Sequence, residues 1–481
     1  MNSDSGDSSI VDDPSNDGSF VLDTLAMDVS HTSENLLLEV RKILDNWEIS
    51  DKNIVFVSDN ASDIAKALSE LGEFPWIGCM AHTINLIVQA GLKEPNVAKL
   101  ISHLKSIVTF FRQSNNAANQ LRKYNKENNL QNYTLIQQVD HRWNSDLDMI
   151  ERQITLRTGL NQIMADLQKK DYLITAEHLI KMKKLVDLLK CFKGATEILS
   201  GQNYPTSSLI LPILRRMKTH LDINADDSKM VKDVKALMSD KLETRYQRET
   251  CKKIINSTCI LDPRFKNKLF INAAAREALI EETIKLIKTS EDSQTQIPCT
   301  ENQDLDCLSK YSYVPLCSSN STTLSNTTKT NKYLHDFFEH DDAEIIDLDT
   351  QSLEDRVKLE MQNYLSCQLP KMTKDEKVKF NPIAWWKDNQ HSYPLLSKAV
   401  CFYLNIPASS APSERIFSLA SNIVTKKRAR LLPENVNMLI FLHHNLSYIP
   451  EKTTIYRPVA SCNNTQSSNQ SSSVSHAEST P

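Results

Sequence analysis

The sequence NIPASSAPSERIFSLA, residues 405–420, contains the clearest helix start in this chain. Ser410 is a good N-cap, and Pro412 suits the first helical turn, where its missing N–H costs nothing. The apolar positions that follow recur at helical spacing and predict a buried stripe, formed by Ile416, Leu419, Ala420 and Ile423.

Glu414 falls in the first turn of this predicted helix, where the helix dipole favours a negative charge. Such an acid is either an ordinary solvated carboxylate or a member of a site whose chemistry needs one. The residues alone favour the first interpretation, because acids are common in first helical turns.

Length and composition indicate a large, mostly helical protein. A chain of 481 residues can bury the cores of two or three domains. Its 8 glycines argue against a glycine-rich phosphate loop and a many-turned β-barrel. The net charge of −4 provides no global basic field, so any contact with DNA needs local basic patches.

The ten cysteines include no CxxC pair, which favours a reducing compartment over a disulfide framework. The sequence shows no signal peptide, and its longest apolar runs are too short to span a bilayer. We therefore expect a soluble intracellular protein with neither a membrane partner nor a small-molecule substrate.

The order of elements predicts an α/β region followed by helices. Strands are expected at Phe20–Ala26, Ile54–Ser58 and Trp76–Cys79, with helices between them and after them, and this alternation implies parallel pairing. From about residue 95 to 285 the pattern is helix after helix, and helical periodicity resumes from about 352 to 448.

Several fragments resemble hAT-superfamily transposases. Ser413-Glu-Arg-Ile-Phe-Ser418, followed by Asn422-Ile423 and residues 428–431, is similar to the C-terminal signature of that superfamily. Fragments in the same order as in the family lie at residues 20–35, 59–61, 79–86, 140–145 and 261–266. Within the superfamily, the chain looks like the BED-type zinc-finger, transposon-derived proteins of animals.

The resemblance implies an incomplete RNase H-like core that is interrupted by a large all-α insertion and closed by the hAT C-terminal dimerisation region. The expected divisions are 1–19 disordered, 20–110 first part of the core, 111–285 helical insertion, 286–345 flexible linker, 346–448 dimerisation region and 449–481 disordered tail.

The resemblance also assigns two catalytic acids. RNase H-like transposases cut DNA with two metal ions, and Mg²⁺ prefers carboxylate oxygens. Asp59 corresponds to the second catalytic acid of the family and Glu414 to the last, although Asp59 could instead cap the helix that begins near Ser62. No counterpart of the first acid, expected before Phe20, is found. We therefore predict an N-terminally truncated chain with inactive remnants and no magnesium cofactor.

Other residues are candidates for DNA contact. Cys79 and His82 match the CxxH motif of the family, and Arg142 and Trp143 match its Arg-Trp pair. The alternatives are a buried cysteine with a helix-capping histidine, and a plain core tryptophan. We expect no zinc, because Cys79 and His82 supply two ligands where a structural site needs four.

The best basic cluster predicts nuclear import or contact with the DNA backbone, and consists of Lys426, Lys427, Arg428 and Arg430. A charged, folded helix end is the alternative interpretation.

The C-terminal region is too apolar for a free surface and predicts a homodimer, or a dimer with a related hAT-domain protein. The residues expected at the interface are Trp385, Trp386, Leu395, Phe417, Val436, Leu439, Ile440 and Leu442. Complete burial within one chain is the alternative.

Three functions remain open from sequence. The first is a non-enzymatic nuclear protein, derived from a transposase, that acts through self-association and possible DNA or chromatin association. The second is a fragment or incomplete gene model of an active metal-dependent transposase. The third is a helical scaffold with no nucleic-acid role.

Overall fold

The computed structural model describes residues 20–72, 74–131, 133–139, 142–201, 204–268, 271–294, 351–369, 371–424 and 430–446. The predicted disordered segments 1–19 and 449–481, the predicted linker beyond residue 294, and Lys426, Lys427 and Arg428 lie outside these residues. The chain divides into a larger unit, residues 26–425, and a smaller unit formed by residues 1–25 and 426–481.

The larger unit is mostly helical. Its helices are α1 Ser33–Asn46, α2 Ser62–Glu70, α3 Met80–Leu92, α4 Pro95–Gln113, α5 Asn115–Glu127, α6 Trp143–Asp166, α7 Ala176–Leu199, α8 Ile210–His220, α9 Lys229–Glu243, α10 Glu249–Leu261, α11 Ala273–Gln294, α12 Leu353–Ser366, α13 Lys374–Lys379, α14 Pro382–Asn389, α15 Pro394–Tyr403 and α16 Ala411–Ile423. Short 3-10 turns lie at Lys170–Tyr172 and Ser207–Leu209. Within the described residues, no helix is both long and apolar enough to cross a membrane.

Two short strands, β1 Phe56–Ser58 and β2 Trp76–Gly78, pair in parallel, with Phe56 opposite Trp76 and Ser58 opposite Gly78. They are joined through α2, as the strand–helix–strand pattern predicts. The described residues contain no further strand, so the sheet is smaller than the predicted α/β region, and the RNase H-like core is not confirmed.

The first of two apolar cores lies among α3 to α9. Helix α3 packs most extensively against α9, and the two approach closely at Gly91, where a Cβ atom would lie 2.7 Å from Met238 Cγ. Helix α4 begins after Glu94, whose buried carboxylate accepts a hydrogen bond from the Val97 amide at 2.8 Å. This satisfies one of the free amides at the helix start.

The second core lies among α10, α11, α12, α14 and α15. The Trp386 indole donates to the Leu261 carbonyl at 2.7 Å, and the Tyr364 hydroxyl donates to the Ile260 carbonyl at 2.9 Å. Helix α11 continues past residue 286, where the sequence predicted a linker to begin, because Ile287 extends its buried face and is 1% exposed.

The smaller unit contains α17, Pro433–Asn445, and the extended segment at residues 20–25. The sequence predicted a strand at Phe20–Ala26, and this was wrong. The amides of Val21 and Thr24 bind the side chains of Asn445 and Asn437, at 3.0 and 2.8 Å, in place of a neighbouring strand. Polar side chains on a helix therefore satisfy this extended backbone.

Candidate functional site

The carboxyl ends of the two parallel strands meet at one edge of the sheet. Asp59 follows β1 and Cys79 follows β2, and the Cys79 amide donates to the Ser58 carbonyl at 2.6 Å. This edge is where ligands commonly bind in open α/β sheets. The arrangement places Asp59 and the start of α3 side by side.

The start of α16 is held against the same edge. The Met80 amide donates to the Ala408 carbonyl at 2.8 Å, and the Ser410 amide donates to the Cys79 thiol sulfur at 3.3 Å. The Glu414 amide in turn donates to the Ser410 carbonyl at 3.1 Å. Glu414 therefore lies one helical turn from Ser410, which is hydrogen-bonded to Cys79. Glu414 and Cys79 are 335 positions apart in sequence.

The loop before α16 has further anchors that the sequence patterns did not indicate. The Ala408 amide donates to Thr206 Oγ1 at 2.9 Å, and the Ser409 hydroxyl donates to the Leu199 carbonyl at 2.9 Å. Arg415 donates to the Ser200 carbonyl at 2.7 Å. The end of α7 and the loop after it thus position the segment that carries Glu414.

Helix α16 itself is less buried than predicted. Ser410 occupies the expected N-cap position, but its side chain makes no capping hydrogen bond. None of the four residues of the predicted buried stripe is fully buried: Ile416, Leu419, Ala420 and Ile423 are half-buried. Apolar spacing identified the inward face correctly, but spacing cannot say how completely a neighbouring element covers that face.

Asp59 is half-buried, and its carboxylate accepts a hydrogen bond from the Ala61 amide at 3.2 Å. The alternative interpretation made Asp59 the cap of α2, but the N-cap is Ala61, which provides no side-chain hydrogen bond. Asp59 instead closes a turn between β1 and α2. Glu414 is exposed in the first turn of α16.

A magnesium site would need these acids as part of a larger donor set. Within the described residues, no three His, Cys, Asp or Glu side chains are grouped so that they could hold a metal ion. Asp59 and Glu414 therefore do not fit a two-metal site with the donors that the structure describes. Their predicted inactivity, and the absence of a cofactor, stay predictions.

Two residues that the sequence patterns did not identify, Asn60 and Tyr246, form hydrogen bonds at the carboxyl ends of the strands. The Asn60 side-chain amide donates to the Cys79 carbonyl at 3.3 Å and to Thr83 Oγ1 at 3.1 Å. The Tyr246 hydroxyl donates to the Gly78 carbonyl at 2.8 Å. Burial raises the pKa of Tyr246 well above its ordinary value, so the hydroxyl remains a proton donor at all physiological pH values.

We expect Gly78→Ala to destabilise the larger unit by about 1–3 kcal/mol, since a Cβ atom there would overlap Asn60 Oδ1 and displace its hydrogen bonds. Urea unfolding monitored by circular dichroism measures the change. Gly194→Ala is the matched control: a Cβ atom meets nothing within 4 Å on α7, so this change should be neutral or stabilising. Equal stability of the two variants would contradict the role of Asn60.

Cys79 is fully buried, and its sulfur accepts a hydrogen bond from the His82 amide at 3.4 Å. The cysteine, not the histidine, is thus the N-cap of α3. His82 is half-buried and lines an open groove between α3 and α4, together with Lys93 and Lys105.

The other candidates for DNA contact differ in accessibility. Arg142 and Arg430 are exposed. Trp143 is 2% exposed within the first core, and its amide donates to Asn85 Oδ1 at 3.5 Å. Its indole is therefore not available for stacking on a base.

The residues predicted for dimerisation fall into two groups. Trp386 and Ile440 are buried within the chain, and Trp385, Leu395 and Val436 are half-buried. The exposed members are Phe417, Leu439 and Leu442, with exposed fractions of 62%, 43% and 43%. A partner can contact the second group, while the first group stabilises the monomer.

Comparison with known protein families gives two matches. Residues 360–446 match the hAT family C-terminal dimerisation region, and residues 77–187 match the ZBED1 RNase-like helical domain. The second match begins in β2 and ends in α7. The chain is therefore a relative of hAT transposases and contains a match to their dimerisation region.

Individual relatives agree with this class. The chain is 26% identical to the human zinc finger BED domain-containing protein 4. The matched region is 90% of this chain and 34% of that protein. It is 25% identical to the putative AC transposase of Zea mays over 85% of its length, covering 50% of that protein. The transposable element Hobo transposase of Drosophila melanogaster is 23% identical over 80% of this chain and is covered over 58%. The chain thus spans about a third to somewhat over half the length of these relatives.

The sequence resemblance is confirmed by these matches. The chain is related both to hAT transposases and to BED zinc-finger proteins, and residues 360–446 form a hAT dimerisation region.

Proposed function

We propose that this protein is a domesticated transposase relative that acts in the nucleus by self-association and by association with DNA, without cutting it. An exposed apolar face on α17 carries the proposal. We call it the leucine face, and it consists of Leu432, Leu439, Leu442 and Leu446.

The leucine face has a coiled-coil spacing, because its successive leucines are seven, three and four residues apart. Leu432 lies just before α17, Leu439 and Leu442 lie within it, and Leu446 lies just after it. Its members are 61%, 43%, 43% and 60% exposed. Such a stripe is costly to leave in water. Burying a fully exposed leucine contributes about 1.5–3 kcal/mol, and roughly half of that applies to each of these side chains because they are already about half covered. A second copy of the same helix presents a matching stripe, which favours an isologous dimer.

The match to the dimerisation region supports the same conclusion, because α17 lies within residues 360–446. A related hAT-domain protein could replace the second copy. The names of the relatives, which include transposases and BED zinc-finger proteins, support the association with DNA and the nuclear location. Strands β1 and β2 support an RNase H-like origin for the larger unit.

We expect Asp59→Ala and Glu414→Ala to leave the dimer mass unchanged, because neither side chain lies on the leucine face. DNA affinity should stay within about twofold of the parent chain, because removal of a carboxylate weakens no phosphate contact. With Mg²⁺ or Mn²⁺, neither the parent chain nor the two variants should nick supercoiled plasmid, as judged on agarose gels. Nicking by the parent that both alanine variants lose would overturn the non-catalytic proposal.

One observation favours a second function, that of a piece of a metal-dependent DNA transposase. Asp59 follows β1 at the sheet edge, and hydrogen bonds through Ser410 and Cys79 place the start of α16, with Glu414, near that edge. The plasmid assay separates this function from the first. A DNA-binding assay distinguishes both of these functions from a helical scaffold without a nucleic-acid role, because only the scaffold would fail to bind DNA.

A further inference from the structure

Two adjoining cavities form one continuous groove along α4. The larger has a volume of about 740 Å³ and lies between α3 and α4, and the smaller, of about 360 Å³, lies further along α4. Both are lined by Lys105 and Gln138, which therefore mark where they join. The groove belongs entirely to the larger unit.

The groove has both apolar and polar lining residues, and the polar ones on α3 and α4 recur at helical spacing. On α3 and just after it these residues are His82, Asn85, Gln89 and Lys93, and on α4 they are Ser102, Lys105, Thr109 and Arg112. Positions three and four apart share a helix face, so each helix presents its polar residues to the groove on one side.

The charge of the groove is positive. Lys93, Lys105 and Arg112 contribute three cations, and none of them forms an ion pair with another residue that the structure describes. The acid on the groove wall, Asp146, is 3% exposed. A chain with a net charge of −4 thus concentrates accessible cations at this surface, which favours a polyanion.

The spacing of the cations fits a nucleic-acid strand. Lys105 and Arg112 are seven residues apart on α4, which separates them by about 10 Å along the helix axis. That distance covers about three phosphates of one DNA strand, at 3.4 Å of axis each. A small anion would use only one of these cations.

Amide side chains provide the remaining recognition chemistry. Gln89, Gln113, Gln137 and Gln138 line the groove, and none forms a side-chain hydrogen bond with another described residue. Such amides can donate to phosphates or pair with base edges. An acidic peptide would use the cations but has no base edges for the amides to pair with.

We propose that this groove along α4 binds the phosphate backbone of DNA, with Lys105 and Arg112 as its principal phosphate contacts. This inference rests on the DNA association in the proposed function and names the surface that produces it. The predicted basic cluster at 426–430 is not part of this inference, because Lys426, Lys427 and Arg428 lie outside the described residues.

The test is the binding of a fluorescein-labelled 20-base-pair duplex to the full chain, measured by anisotropy from 50 to 200 mM salt. We expect Lys105→Glu/Arg112→Glu to weaken binding at least about tenfold and to reduce the slope of log affinity against log salt by about 2, one per lost phosphate contact. Lys105→Gln/Arg112→Gln should give a smaller loss in the same direction.

Arg122→Glu/Lys126→Glu is the matched control, since it reverses one arginine and one lysine on the exposed face of α5, away from the groove. It should bind within about threefold of the parent, because only long-range charge changes. Circular dichroism and melting temperatures verify that all variants fold, and the glutamine pair keeps the test decisive if charge reversal unfolds the chain.

The outcomes are distinct. A groove variant that binds as tightly as the parent overturns the groove and leaves the proposed function intact. A parent chain that binds no duplex overturns the DNA association and the groove with it. Displacement of the duplex by polyglutamate at equal charge concentration would make the ligand an acidic peptide, which also overturns the inference.

Discussion

Leu439→Glu/Leu442→Glu should convert the protein from a dimer to a monomer, raising the dissociation constant at least about 100-fold. Both side chains lie on the leucine face and are 43% exposed, so charge there leaves the monomer fold intact. In a dimer the same carboxylates would be buried opposite their own copies, and uncompensated buried charge costs several kcal/mol. Sedimentation velocity over a range of concentrations measures the change.

Leu38→Glu/Leu237→Glu is the matched control for this experiment. These leucines are 56% and 43% exposed on α1 and α9, outside the dimerisation region. The control should remain a dimer with an unchanged dissociation constant. A monomeric control, or a dimeric Leu439→Glu/Leu442→Glu variant, would show that the leucine face is not the interface.

Trp386→Ala should lower the free energy of unfolding by about 3–5 kcal/mol, the usual cost of removing a buried tryptophan. Its indole donates to the Leu261 carbonyl at 2.7 Å, and its ring lies 4.8 Å from that of Tyr364. The substitution removes aromatic packing and leaves a buried carbonyl without that donor. Chemical denaturation followed by tryptophan fluorescence and circular dichroism measures the loss.

Trp47→Ala is the control, because Trp47 is 39% exposed at the end of α1, and we expect a change below about 1 kcal/mol. Trp386 also tests the sequence prediction that placed this residue in the interface. A Trp386→Ala variant with unchanged stability but a weakened dimer would support that prediction against the burial seen within the chain.

Local patterns predicted two of the three expected strands correctly, whereas the strand expected at Phe20–Ala26 was wrong. The β-branched run at Ile54–Ser58 and the short run at Trp76–Cys79 lie at β1 and β2, and α2 begins at Ser62 as expected. These features depend on residues a few positions apart, so a single sequence contains the information that determines them.

Burial and long-range contacts were harder to predict. Trp386 and Leu439 both appear as apolar residues of the C-terminal region, yet one is 2% and the other 43% exposed. Apolar character cannot distinguish a core that one chain completes from a surface that a partner completes. The anchors from Thr206 and Leu199 to the loop before α16 join residues some 200 positions apart, and no local pattern encodes them.

The candidate site shows the same division. Asp59 and Cys79 were expected at strand ends from local pattern alone, whereas their link to α16 through Ser410 depends on folding of the whole larger unit. The groove along α4 was not predicted, because its cations are spread over residues 93 to 112 and form no charge run.

Self-association through the dimerisation region is tested most directly by the mass of the unaltered chain in solution. Multi-angle light scattering at micromolar concentration should give about 109 kDa, twice the 54.7 kDa of one chain. A mass of 54.7 kDa at every concentration up to about 100 micromolar would contradict self-association. At that concentration even a dimer with a dissociation constant of tens of micromolar would be populated.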